Sequence, residues 1–133
     1  MKQKVILVDA IGALVIEMGK GFGIFKEMKD LLDEFSNRKI ILTMAKKGKQ
    51  FKELGLDKMP WEVFTSEFDP KKTNPEYYRI MLNSFGLKPE EVIYFEHNLE
   101  AIKNAKSVGI KSYFYDNDKK DLVTLRKFLE DNL

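Results

Sequence analysis

Asp9 ends the apolar run Val5-Ile6-Leu7-Val8, and Gly12 follows three positions later. A carboxylate at the carboxyl end of a buried strand, just before a glycine-bearing turn, stands where open α/β sheets bind ligands. Two kinds of chemistry suit it there: nucleophilic attack, or ligation of a hard cation. A second apolar run, Val92-Ile93-Tyr94-Phe95, also closes on an acid, Glu96, with His97 beside it. A third, Ile40-Ile41-Leu42, closes on the hydroxyl of Thr43. His97 is the sole histidine of the chain. Alone, a histidine is more often a local hydrogen-bonding residue than a ligand; beside an acid it could bind a softer metal or assist a proton transfer.

These groups can act together only if the chain gathers the ends of its apolar runs. Short apolar runs alternate with longer amphipathic stretches. Strands are expected at residues 5–8, 39–43, 61–65, 92–95 and 111–115. Helical spacing covers 24–35, with Ile24, Phe25, Met28, Leu31, Leu32 and Phe35 on one face. Further helices are expected at 46–54, closed by Gly55; at 75–85, started by Asn74-Pro75 and stopped by Gly86; at 99–108; and at 122–129. Gly19-Lys20-Gly21-Phe22-Gly23 reads as a flexible segment. Strands alternating with helices imply an α/β fold, a parallel sheet covered on both faces. Right-handed crossovers then bring the carboxyl ends of all strands to one edge, and Asp9, Thr43 and the Glu96-His97 segment with them.

A length of 133 residues suits one domain, 1–133, with a real core. Hydrophobic residues at 44% and charged residues at 33% exclude a disordered chain. A net charge of +2 gives no ground for a nucleic-acid partner. The absence of cysteine excludes disulfides, thiolate catalysis and cysteine-ligated zinc. No apolar stretch approaches the roughly twenty residues of a membrane helix, and Met1-Lys2-Gln3-Lys4 leads into too short a run for a signal peptide. A cytoplasmic location is the expectation.

Four segments, taken in order, resemble the haloacid dehalogenase-like (HAD) superfamily over nearly the whole chain. They are Val5-Ile6-Leu7-Val8-Asp9-Ala10-Ile11-Gly12-Ala13-Leu14; Ile40-Ile41-Leu42-Thr43-Met44-Ala45; Lys72-Thr73-Asn74-Pro75-Glu76-Tyr77-Tyr78; and Val92-Ile93-Tyr94-Phe95-Glu96-His97-Asn98-Leu99-Glu100. The resemblance implies a Rossmannoid three-layer sandwich whose five sheet strands, counted alone, lie in the order 5-4-1-2-3; the intervals from Asp9 to Thr43 and from Thr43 to Lys72 leave no room for a cap domain. It implies Asp9 as the nucleophile, Thr43 as a hydrogen-bond donor to a phosphoryl group, and Lys72 as the cation that neutralises both; Lys71 takes that place if the register slips by one. Asp9, Glu96 and His97 fall at the positions that would hold Mg²⁺.

Several positions depart from the pattern. Ile11 stands where phosphatases of the family carry a general acid, a group worth about 10²- to 10⁴-fold in rate. His97 and Ala101 replace acids or an asparagine, and histidine is a poor magnesium ligand. Asp-Ala-Ile-Gly-Ala-Leu also looks like the dehalogenase form of the first segment, although residues 10–42 leave no room for that enzyme's cap. The expectation is a degenerate site with weak or no catalysis, whose partner is a phosphorylated or other anionic ligand or a protein. The alternative is a metal-dependent phosphatase acting through an aspartyl-phosphate on Asp9, with a dehalogenase-like hydrolase third. Lys46-Lys47-Gly48-Lys49 lies near the same edge and reads mainly as a solvated helix start.

Overall fold

The computed structural model describes residues 3–133. Strand β1 (Val5–Asp9) is buried along its whole length, as a strand covered on both faces must be. After it come a hairpin, β2 (Val15–Met18) and β3 (Gly21–Ile24), then α1 (Lys26–Asp33) and β4 (Lys39–Thr43). The chain continues through α2 (Lys49–Leu54), β5 (Glu62–Thr65), α3 (Pro75–Phe85), β6 (Val92–Glu96), α4 (Leu99–Ser107), β7 (Lys111–Phe114) and α5 (Leu122–Asn132). The main sheet is parallel throughout, in the order β5-β4-β1-β6-β7. With the two hairpin strands left out of the count, this is the expected order.

Alternation along the strands sends neighbouring side chains to opposite faces. Ile6, Val8, Ile41, Ile93 and Phe95 pack with Met28 and Leu32 of α1 and Leu125 and Leu129 of α5. Val5, Leu7, Ile40, Leu42 and Tyr94 pack with Tyr77, Tyr78 and Met81 of α3 and with Ala105 of α4. Register puts Leu7 opposite both Ile40 and Tyr94. The ends of β1, β4 and β6 are therefore level at one edge.

The segment expected to be flexible is the hairpin. Val15 pairs with Ile24 at its base and is fully buried, while its far half is exposed. Gly21 and Gly23 carry no strand propensity of their own; pairing across a turn at Gly19, φ +58°, imposes the strand. Helix α1 starts two residues later than its apolar face suggests, because Ile24 belongs to β3. Helix α2 starts at Lys49 rather than 46, after Gly48 at φ +84°. Helix α3 follows expectation: the Asn74 side chain accepts from the Glu76 N–H at 3.0 Å, with Pro75 in the first turn. Trp61 packs against the first of the two clusters, half-buried under Lys39 Nζ, 5.4 Å from its ring. Among the described residues no helix is long and apolar enough to cross a membrane.

Candidate active site

Asp9 and Glu96 terminate adjacent strands and are each 1% exposed. Lys72 reaches them from the loop between β5 and α3. Its Nζ donates to Asp9 Oδ1 at 2.8 Å and to Glu96 Oε1 at 3.0 Å. One cation thus joins two buried carboxylates, while Lys71 stays exposed at the cavity rim. The hydroxyl of Tyr94 also donates to Glu96 Oε1. Tyr94 was readable only as a core residue. The signal for more was its i, i+2 relation to Glu96, which puts both side chains on one face of a strand.

His97 closes the cluster. Its Nδ1 lies 2.5 Å from Asp9 Oδ2 and 3.2 Å from Glu96 Oε2. Its backbone N–H donates to the same two oxygens at 3.2 and 3.0 Å, and the Asn98 N–H donates to Glu96 Oε2 at 3.1 Å. The imidazole lies flat against Gly12. A Cβ at that glycine, which has φ +97°, would stand 2.6 to 2.8 Å from three ring atoms. The ring therefore needs a residue without a side chain at position 12.

Charge follows geometry. Burial raises the Asp9 carboxyl above its ordinary value and Glu96 adds to this, against Lys72 and His97. For Glu96 burial acts the same way, but Lys72 and the hydrogen bonds from its neighbours outweigh it and hold the group well below the carboxylate range. Burial lowers Lys72, and the two facing carboxylates overturn that, so it stays charged. Hydrogen bonds to Asp9 and Glu96 lift His97 from 6.5 to about 10. Two cations face two carboxylates in a dry setting, the arrangement that makes buried charge tolerable.

Asp9, Glu96 and His97, the expected metal positions, each offer a ligand atom, all within 4.8 Å of one another. Magnesium demands a near-octahedral shell of oxygens. Here both Asp9 oxygens and both Glu96 oxygens already face an N–H or O–H donor, and the third candidate atom is a nitrogen. Ile11 and Ala101, which line the same cavity, offer no ligand atom. The residues present do not fit magnesium.

Thr43, 2% exposed, also lines the cavity, and its Oγ1 accepts from the Ala45 N–H at 3.1 Å. That bond leaves the hydroxyl proton available to a ligand. The Tyr77 hydroxyl holds the Thr43 carbonyl at 2.7 Å, fixing the strand end. The cavity encloses about 310 Å³. Phe68, at its wall, was invisible in the sequence, an aromatic inside a polar loop with no periodicity around it.

No family model matches the chain, and no curated protein does. Solved structures do. A HAD family enzyme from Bacteroides thetaiotaomicron, in complex with magnesium and inorganic phosphate, superposes with a TM-score of 0.67 at 12% identity, over 86% of this chain and 95% of that one. A haloacid dehalogenase-like protein from Agrobacterium tumefaciens gives 0.57 at 17% identity over 70% of this chain. The UTR4 protein of Saccharomyces cerevisiae gives 0.57 at 20% over 69%. The match spans only 45% and 47% of those last two proteins. At these identities the likeness establishes the fold, which is HAD-like.

Proposed function

We propose that this HAD-like chain binds a small anion at a degenerate catalytic centre and turns over slowly or not at all. The observation that supports this best is the imidazole of His97 lodged between Asp9 and Glu96, with Nδ1 2.5 Å from Asp9 Oδ2. A nucleophile must present a free lone pair. Asp9 Oδ2 is engaged by both the ring Nδ1 and the backbone N–H of His97, which crowds that oxygen, and Lys72 holds Oδ1. Ile11 cannot pass a proton to a leaving oxygen, which removes about 10²- to 10⁴-fold in rate. What remains is suited to holding an anion: the Thr43 hydroxyl proton inside the cavity and the exposed Lys71 at its rim.

A metal-dependent phosphatase acting through Asp9 is the second reading. It is favoured by the gathered acids and by the magnesium and phosphate held by the Bacteroides relative. Incubation with an aryl phosphate and Mg²⁺ or Mn²⁺, beside an Asp9→Asn control, separates the two. The expected result is no turnover with either metal, together with measurable Mn²⁺ binding only after Ile11→Asp, His97→Asp and Ala101→Asp are combined. Efficient turnover by the unaltered protein that vanishes in Asp9→Asn would establish the phosphatase instead.

A further inference from the structure

Two positions at which this chain has an apolar residue where the family pattern has a polar one, Ile11 and Ala101, both line the cavity above Asp9. Both departures act in one direction: carbon stands where a polar group is expected. Met44 and Phe68 continue the same wall. Ile11 and Phe68 are 43% and 44% exposed, so their apolar surface is not used up in the core. The loop carrying Phe68 spends conformational freedom to put it there. Glu67 and Phe68 both have positive φ, 53° and 74°, which side-chain-bearing residues rarely adopt. Three bonds hold the loop in that shape. The Thr65 hydroxyl donates to the Ala45 carbonyl at 2.5 Å and accepts from the Glu67 N–H at 3.0 Å. The Glu67 carboxylate accepts from the Lys47 N–H at 3.1 Å. Side-chain-bearing residues held in a disfavoured backbone region cluster at ligand clamps, and here one of them is an aromatic at a cavity wall. The cavity floor is polar, its rim carries Lys71, and its volume of about 310 Å³ suits a small molecule.

We propose that the anion held at this site carries a flat apolar group, an aryl phosphate, phosphonate or carboxylate, whose head faces Thr43 and Lys71 and whose ring lies between Ile11 and Phe68. The proposal rests on the anion-binding reading and adds the ligand class to it. Burying one ring face against these side chains should favour the aryl ligand by about tenfold or more over an alkyl one of equal charge.

Titration of ¹⁵N-labelled protein with inorganic phosphate, methylphosphonate and phenylphosphonate tests both layers separately. Phenylphosphonate is expected to bind at least about tenfold more tightly than methylphosphonate, shifting the amides of Ile11, Thr43 and Phe68. Phe68→Ala and Ile11→Ala should each shrink that ratio. Phe68 is exposed, so its replacement does not threaten folding. Equal affinity for the two phosphonates, or a ratio untouched by both substitutions, overturns the aryl inference and leaves anion binding standing. Shifts centred away from these amides overturn it as well. Binding of none of the three probes overturns the anion reading and this inference together.

Discussion

The chemistry of the site turns on what a buried carboxylate will accept as a partner. Desolvating Asp9 and Glu96 is expensive, and the chain meets the need with Lys72 and His97, both inside hydrogen-bond distance. This has a signed consequence for stability. His97 titrates at about 10 in the folded protein against an ordinary 6.5. Because the folded value is the higher one, its stabilisation is complete below about 6.5 and disappears as pH rises through about 10. The unaltered protein should therefore lose thermal stability between those two values, and His97→Gln should flatten that slope while starting from a lower melting temperature. Parallel profiles for the two proteins would show that the imidazole carries no such linkage. At the acid end Asp9 and Glu96 oppose one another. Glu96, with its folded value depressed, contributes stability that is lost as pH falls through that value; Asp9, with its value raised, contributes stability that is lost as pH rises through its own.

At the scale of elements, the turn after β1 and the turn after β6 are fitted to each other. Gly12 at φ +97° leaves the space that the His97 ring fills. Gly12→Ala strains its own backbone and must also displace the ring, and a destabilisation of about 1–3 kcal/mol is expected. In a His97→Ala background the ring is gone and only the backbone strain remains, so the same substitution should be milder. Urea denaturation of the four proteins of that double-mutant cycle measures the coupling, and additivity would mean that the two turns are independent. The capped start of α3 was legible from Asn74-Pro75, since the signal is local. The hairpin β2-β3 was not, because Gly21 and Gly23 say nothing about strand and the pairing of Val15 with Ile24 joins residues with unremarkable surroundings.

Across the whole molecule, β1 lies at the centre of a sheet buried on both faces, and the site sits at the carboxyl ends of β1, β4 and β6. Ile93 is fully buried between neighbouring strands. Ile93→Ala should cost about 2–5 kcal/mol. The chain is expected to unfold as one cooperative unit, so urea transitions followed by Trp61 fluorescence and by far-ultraviolet circular dichroism should coincide in both proteins. Separate midpoints would reveal two independently melting parts.

The sequence by itself determined the alternation of strands and helices, and through it the edge at which Asp9, Thr43 and Glu96 meet. Hydrophobic periodicity and strand-end position are written locally, and crossover handedness does the rest. Lys72 was assigned to the site only through its resemblance to a known pattern, and its Nζ lies 2.8 Å from Asp9 Oδ1. What the tertiary structure alone decided is how the site is wired. His97 faces Asp9 across 88 positions of chain. Gly12 makes room for its ring, Tyr94 reaches Glu96 with its hydroxyl from within the core, and Phe68 closes the cavity wall. Each of these depends on distances of a few ångströms between residues far apart in sequence, and such distances exist only once the sheet has assembled.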